Sequence, residues 1–201
     1  MGLIVDSVIV FVAKYFIVLS VAAAAFVWIR QSVYRKWTLA TAAISGGVVA
    51  LALIRGSAAL YNDPRPFVVQ HIHPLFAHAA DNGFPSDHST LAMFIAVCVL
   101  VYSRPWGIAL IVNAFLVGTA RVLAHVHHPL DIGAGFVLGG LTAALACWAA
   151  PWIVRRIPWA PDQDSQAAKP SPAAKHASAD PSAGTGATAS ARHDHLADSG
   201  S

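Results

Sequence analysis

Residues 84–102 read FPSDHSTLAMFIAVCVLVY, in which a Ser-Asp-His cluster stands at the start of a long apolar run. The run, at about 87–103, is close to the roughly 20 mostly apolar residues that a membrane-spanning helix needs. A span that begins with hydrogen-bonding side chains places polar groups at the bilayer surface. This stretch therefore predicts a membrane helix with a polar site at its mouth.

The whole chain has the composition of a membrane protein. Of its 201 residues, 56% are hydrophobic and 11% are charged, whereas about a quarter of the residues in a soluble domain are charged. Lys and Arg are scattered at the ends of apolar segments without a basic stripe that interleaves aromatics, which argues against a nucleic-acid partner. Cys98 and Cys147 lie inside apolar runs, so the sequence indicates neither a disulfide framework nor a zinc site.

Five apolar runs have lengths at or near that of a bilayer span. They cover residues of about 4–29, 38–61, 87–103, 106–125 and 130–154. We expect an all-α polytopic membrane bundle of about five transmembrane helices, formed by residues 1–158. The rest of the chain is rich in Ala, Ser and Pro, a composition that cannot bury enough surface to fold. Residues 159–201 are therefore expected to form a disordered cytoplasmic tail.

Basic residues set the expected orientation of the bundle. They follow the first, third and last spans, at Arg30, Arg35, Lys36, Arg104, Arg155 and Arg156. With five spans these positions share one side, and the positive-inside rule makes that side cytoplasmic. The loop at 62–86 and the turn at 125–131 then lie on the outer face.

Three polar stretches meet on that face: DPRPF (63–67), PSDH (85–88) and ARVLAHVHHPLD (120–131). They supply cations, histidines and a hydroxyl, and the chain contains no Glu, which suits an anion better than a metal ion. Two guanidiniums can hold a phosphate bidentately, and a hydroxyl at a helix N-terminus can complete the site. The predicted phosphate ligands are Arg65, Arg121 and Ser86. Neither a metal nor a cofactor is predicted.

A histidine nucleophile is predicted in the third stretch. Asp131 lies four residues after His127, so both fall on one face if the turn is helical, and a carboxylate there can fix the tautomer of the histidine. His88 can protonate the leaving oxygen and then deprotonate the attacking water. These residues together predict a phosphatase that acts through a phosphohistidine.

The three stretches resemble the signature of the type 2 phosphatidic acid phosphatase (PAP2) superfamily. That signature is Lys, six residues and Arg-Pro; then Pro-Ser-Gly-His; then Ser-Arg, five residues, His, three residues and Asp. Arg65-Pro66 matches the first motif, residues 85–88 match the second, and Arg121, His127 and Asp131 match the third. By resemblance, His127 is the nucleophile, Asp131 orients it, and His88 is the acid and base. The match covers about residues 55–140 and implies a helical membrane phosphatase.

Three positions depart from that signature. Ala58 stands where the motif has Lys, Asp87 replaces Gly, and Ala120 replaces Ser. Arg55 precedes Ala58 by one helical turn on the same face, so it is a candidate for supplying the lost cation, with a headgroup anchor as the alternative. Lys14 in the first span is a second candidate.

Several other residues keep two interpretations. Asp63 and Asp87 either orient a second phosphate or cap helix ends. Five glycines are expected to let the last two helices pack closely: Gly118, Gly133, Gly135, Gly139 and Gly140. A dimer contact through Gly135 and Gly139 is the alternative for those two. Five histidines are expected to line the outer loop and the interface, with a direct role as the alternative: His71, His73, His78, His125 and His128.

The FPSDH variant and the short chain resemble the bacitracin-resistance type of undecaprenyl pyrophosphate phosphatase within the superfamily. The resemblance implies hydrolysis of undecaprenyl diphosphate, which recycles the cell-wall carrier lipid at the outer face of the bacterial inner membrane. The expected partners are a polyprenyl diphosphate or another lipid phosphate and the membrane lipids, and the oligomeric state stays open. One alternative is a broader phosphatase acting on phosphatidic acid or phosphatidylglycerol phosphate. The other is a non-catalytic membrane scaffold or lipid-binding protein.

Overall fold

The computed structural model describes residues 2–161, and this part of the chain forms helices and loops without a β-strand. The helices are α1 (Gly2–Ile29), α2 (Val33–Leu60), α3 (Pro66–Val69), α4 (Asp87–Tyr102), α5 (Arg104–Leu123) and α6 (Pro129–Val154). The prediction of an all-α membrane bundle is confirmed. The predicted tail lies outside the described residues from 162 onward.

Four helices, α1, α2, α5 and α6, are long and apolar enough to cross a bilayer. Helix α4 has 16 residues, which corresponds to about 24 Å at the rise of an α-helix. It packs against α5 and α6 and, less extensively, against α1 and α2. Because other helices cover most of α4, its length does not have to match the thickness of the hydrocarbon core.

Helix α2 begins at Val33, earlier than the predicted start at 38. The added turn contains Arg35 and Lys36. Hydropathy locates only the apolar part of a helix, whereas basic side chains let the helix continue into the interface. The Nε1 of Trp28 donates to Lys36 O at 3.1 Å and thereby ties the end of α1 to α2.

Glycines seat α6 directly against α4. A Cβ on Gly135 would lie 2.9 Å from Ser86 O, and a Cβ on Gly139 would clash with Thr90 O. The prediction that glycines pack the last two helices together is therefore wrong for these two, whereas it holds for Gly118 of α5, where a Cβ would lie 2.5 Å from Ile132 Cγ2 of α6. The reason is that α6 packs mainly on α4 and α2, with few contacts to α5.

One amide side chain organises the loop at 61–86. Asn82 Oδ1 accepts hydrogen bonds from Asp63 N (2.9 Å) and Phe84 N (3.0 Å). Asn82 Nδ2 donates to Ala58 O (3.0 Å) and Tyr61 O (2.9 Å). All the hydrogen-bonding capacity of this amide is used, so the loop is held against the end of α2.

Candidate active site

A cavity of about 400 Å³ opens at the end of the bundle where α2 and α5 end and α4 and α6 begin. Five of the predicted site residues line it: Arg55, Arg65, His88, Arg121 and His127. Arg65 and His127 are 62 positions apart in the chain, yet they are in direct contact. The fold thus gathers the three sequence motifs around one space.

His127 lies in the short turn between α5 and α6 and is only 3% exposed. Two residues earlier, His125 adopts φ 64°, in the left-handed region that residues other than glycine rarely occupy. Val126 N donates to Arg121 O at 3.2 Å and keeps the turn close to the end of α5. This sharp turn brings His127 to the base of the cavity.

The hydrogen bonds of His127 determine its tautomer. Its Nε2 lies 3.2 Å from Arg65 Nη1 and 3.3 Å from Arg121 Nη2. A guanidinium can only donate, so Nε2 accepts and carries the lone pair. The ring proton is then on Nδ1, which faces Asp131 Oδ2 at 3.4 Å. The unprotonated nitrogen therefore points between two cations.

Asp131 is fully buried and stands behind His127, outside the lining of the cavity. It is the third residue of α6, and its Oδ2 also accepts a hydrogen bond from His128 N, the N-cap residue, at 2.8 Å. A carboxylate at this helical position satisfies a backbone donor that the helix leaves free. One carboxylate oxygen thus fixes the start of α6 and the orientation of His127 together.

The surroundings of His127 favour its neutral form. Burial lowers the pKa of His127 from its usual 6.5, and Arg121 and Arg65 lower it further, whereas the hydrogen bond to Asp131 raises it. The net shift is downward. At neutral pH the imidazole is therefore uncharged, as a nitrogen nucleophile must be.

The two arginines at the base of the cavity are 6% (Arg65) and 3% (Arg121) exposed. Arg65 donates from Nε to Asp81 Oδ1 and from Nη1 to Val126 O, both at 2.8 Å. Arg121 Nη1 donates to Ala13 O at 3.4 Å, and its buried Nε has no hydrogen-bond partner within the described part of the chain. Buried guanidiniums with donors to spare are suited to binding an anion.

The first turn of α4 places the second motif. Helix α4 begins at Asp87, with Ser86 as N-cap residue, whose Oγ accepts from Ser89 N at 3.4 Å. The cap interpretation of Asp87 is therefore wrong, and its exposed carboxylate lines the cavity instead. His88 is half-buried and lines the cavity as well. Ser86 is fully buried and does not line it, so a contact of its hydroxyl with phosphate stays a prediction.

The two candidates for the lost cation are placed differently. Arg55 is exposed and lines the cavity beside Ala58, which occupies the lysine position of the signature. Lys14 lies outside the lining, with its Nζ 4.8 Å from the centre of the Phe76 ring. Of the two cations, only Arg55 reaches the cavity.

Three loop residues shape the site although the sequence predicted no specific role for them. His78 Nε2 lies 3.1 Å from Arg121 Nη2, Asp81 binds Arg65, and Asn82 holds the loop in place. The feature of the sequence that could have indicated these roles is the polar stretch just before FPSDH. Their partners were not visible because these contacts join positions as many as 43 residues apart. The other four loop and turn histidines do not line the cavity: His71, His73, His125 and His128.

Within residues 2–161, Asp63, His128 and Asp131 form a group with spacing that could suit a metal ion, since their ligand atoms lie within 4.8 Å of one another. Asp63 Oδ1 lies 3.3 Å from His128 Nδ1 and caps no helix. Burial chiefly, followed by the neighbouring charge of Asp131, raises the pKa of Asp63. None of the three residues lines the cavity.

Comparisons with known proteins identify the family of the chain. The family described as the PAP2 superfamily matches residues 35–155. Undecaprenyl-diphosphatase BcrC of Bacillus subtilis (strain 168) is 35% identical over 144 residues, covering 71% of this chain and 70% of the relative. Bacitracin transport permease protein BcrC of Bacillus licheniformis is 31% identical over 147 residues, covering 73% of this chain and 72% of the relative.

Two solved structures share the fold. The crystal structure of Aquifex aeolicus LpxE has a TM-score of 0.54 and 25% identity, and the match covers 69% of this chain and 84% of that one. The first transmembrane PAP2 type phosphatidylglycerolphosphate phosphatase from Bacillus subtilis has a TM-score of 0.53 and 21% identity, with 76% and 79% covered. On its matched motifs, its helical fold and these relatives, the chain belongs to the PAP2 superfamily and is a membrane-spanning phosphatase.

Proposed function

We propose that this protein hydrolyses undecaprenyl diphosphate to undecaprenyl phosphate and inorganic phosphate through a phosphohistidine on His127. The observation that carries the proposal is the placement of His127 Nε2, which lies within 3.3 Å of Arg65 and Arg121 while Nδ1 faces Asp131. The two guanidiniums that flank the nucleophile can also bind the phosphoryl group that it attacks, so they place the phosphorus next to Nε2.

In the first step, Arg65 and Arg121 bind the oxygens of the terminal phosphate. The lone pair on His127 Nε2 attacks phosphorus, and the bond from phosphorus to the bridging oxygen breaks. His88, which lines the same cavity, donates a proton to that oxygen as undecaprenyl phosphate leaves. The positive charge that develops on the imidazole is stabilised by Asp131, which holds the proton on Nδ1.

In the second step, His88 accepts a proton from a water molecule, which attacks the phosphorus of the phosphohistidine. The nitrogen–phosphorus bond breaks, its electron pair returns to His127 Nε2, and inorganic phosphate is released. His88 regains the proton that it gave up in the first step, so the cycle closes without a further group. The proposal therefore requires no metal ion, and activity is expected to survive thorough chelation.

The choice of a lipid diphosphate rests on the cavity and on the relatives. A space of about 400 Å³ suits a phosphate headgroup, and a long isoprenoid chain would have to remain in the bilayer. A relative at 35% identity bears the name undecaprenyl-diphosphatase. Arg55 at the rim supplies a cation near the position of the missing lysine, where it can neutralise the second phosphate of a diphosphate.

A substrate panel tests this choice. Purified protein in detergent is expected to release phosphate from undecaprenyl diphosphate with a higher kcat/KM than from phosphatidic acid or phosphatidylglycerol phosphate. Equal values across the panel would favour a broad lipid phosphatase, which is the second candidate because a lipid A 1-phosphatase of Rhizobium etli is 33% identical over 122 residues. Absence of release from every lipid would contradict the proposed activity.

We also propose that the site faces the outside of the bacterial inner membrane, as the basic residues at the opposite end of the bundle indicate. Ala80→Cys introduces a thiol in the exposed loop, and Ser32→Cys introduces one between α1 and α2 at the other end. The native Cys98 and Cys147 are buried. An impermeant thiol reagent added to intact cells should label the first variant and spare the second, and the reverse pattern would invert the orientation.

A further inference from the structure

His78 occupies the wall of the cavity beside both of the buried arginines. It comes from the loop between α3 and α4, lines the cavity and is half-buried. Its Nε2 lies 3.1 Å from Arg121 Nη2, and its ring lies 6.2 Å from the His127 ring between centroids, at 80°. The side chain therefore adjoins the same guanidinium that contacts the nucleophile.

The tautomer of His78 follows from the same reasoning as that of His127. Arg121 can only donate, so His78 Nε2 accepts, and its proton is on Nδ1, 3.4 Å from Ala79 O. A lone pair on Nε2 would repel the oxygens of a phosphate bound to Arg121. Protonation of Nε2 would end its hydrogen bond with Arg121 Nη2, which could then donate to the phosphate instead. The repulsion would become a charge-assisted hydrogen bond from His78 to the anion.

We propose that His78 is a further phosphate ligand, which takes up a proton on Nε2 as the anion binds and then donates a hydrogen bond to it. This inference rests on the proposed function, because it takes the space between Arg65 and Arg121 as the phosphate site. The signature of the superfamily has a serine directly before its arginine, where this chain has Ala120. His78 reaches the guanidinium of Arg121 from the loop between α3 and α4, so it can supply a donor to a phosphate bound there.

The charges around His78 make its protonation depend on the anion. Asp81 comes from the same loop, and Arg65 is the N-cap residue of α3. Arg121 comes from α5, His127 from the α5–α6 turn and His88 from α4. Lys14 of α1 lies beyond Phe76. Burial lowers the pKa of His78 from 6.5, and the charge of Arg65 contributes next. His78 is therefore neutral at neutral pH before an anion binds, and a bound dianion favours its charged form.

The sign of the pH effect follows by linkage. Binding takes up a proton at pH values between the lowered pKa of His78 in the free protein and its higher pKa beside the anion. In that window the affinity for the anion rises as pH falls, by at most about tenfold per pH unit for one proton. Sulfate is a suitable probe because its own charge stays constant over this range.

The experiment measures the Kd of sodium sulfate for the full chain in detergent, at constant ionic strength, from thermal-shift titrations between about pH 8 and pH 6. Wild type should bind sulfate more tightly as pH falls. In His78→Asn the slope should drop by up to one proton, and the affinity near pH 6 should fall by about tenfold or more. The matched control is His73→Asn, an exposed histidine of the same loop that does not line the cavity, and it should behave as wild type.

A fixed charge provides the converse test. His78→Lys should bind sulfate near pH 8 more tightly than wild type and should show the shallow slope of His78→Asn. The inference is overturned if His78→Asn keeps the wild-type slope and affinity, or if His78→Lys binds sulfate no better than His78→Asn. Sulfate binding needs no turnover, so a protein that releases no phosphate from any lipid would contradict the proposed function and still leave the role of His78 measurable.

Discussion

The base and the rim of the cavity both carry arginine, but in different surroundings. Base residues Arg65, Arg121 and His127 are at most 6% exposed and are held by hydrogen bonds to one another and to backbone carbonyls. Rim residues Arg55 and Asp87 are exposed to solvent. For arginine, burial rather than residue type therefore distinguishes the base of the cavity from its rim.

The difference in burial changes the strength of charge interactions. A charge interaction in a buried site is several times stronger than the same interaction at the surface, where water and salt screen it. On the proposed mechanism, groups at the base act where charge develops in the transition state and should therefore affect kcat. Groups at the rim meet a solvated headgroup and should affect mainly KM. Substitutions ordered from the base to the rim test this division.

The largest effect is expected at the nucleophile. His127→Ala should lower phosphate release by about four to six orders of magnitude, because no other group at the base can form the covalent intermediate. It should also abolish the acid-labile phosphoprotein trapped from labelled substrate. His73→Ala, in the exposed loop, is the matched control and should retain wild-type activity. Trapping of undiminished label in His127→Ala would move the nucleophile elsewhere.

The second largest loss of activity is expected at Asp131, which faces His127 rather than the substrate. Asp131→Asn should reduce turnover by on the order of 10³–10⁴-fold, because an amide can place its NH₂ group against Nδ1 and so favour the wrong tautomer of His127. Asp131 also accepts from His128 N at the start of α6, so a thermal melt must accompany the assay. A folded variant with nearly unchanged kcat would remove Asp131 from the mechanism.

Arginine at the base should matter through both its charge and its shape. Arg121→Ala is expected to lower kcat by about 10²–10³-fold, the usual loss for one electrostatic donor to a transition state. Arg121→Lys should recover only part of this, because an ammonium cannot reach His127, His78 and the phosphate with a planar fork. If Arg121→Ala raised KM alone, the division between base and rim would fail.

Motifs and apolar runs in the sequence predicted part of the site and of the fold. Arg65, His88, Arg121, His127 and Asp131 were predicted because each belongs to a motif of fixed spacing, and the all-α bundle followed from the apolar runs. The start of α2 was misplaced because hydropathy does not register basic residues in the interface. The role of Gly135 and Gly139 was misassigned because spacing within one helix does not say which neighbour it meets.

Loop residues were harder to predict for a different physical reason. Asn82 uses four hydrogen bonds to join the end of α2 to the loop, and His78 reaches Arg121 across 43 positions. Nothing periodic encodes such contacts, because they depend on how the loop folds back over helices that form independently. A single sequence shows only that polar residues are concentrated there.

The smallest effect is expected at the rim. Arg55→Ala should raise KM for the lipid diphosphate by about two- to fivefold with little change in kcat, because its exposed guanidinium gains only a screened interaction. The increase should shrink at high salt and should be smaller for a lipid monophosphate, which lacks the second phosphate. Arg104→Ala, an exposed arginine at the start of α5, controls for the general loss of a cation at the membrane surface. If Arg55→Ala instead slowed turnover by about a hundredfold or more, this side chain would belong with the groups at the base, as a direct replacement for the lysine that the signature carries at Ala58.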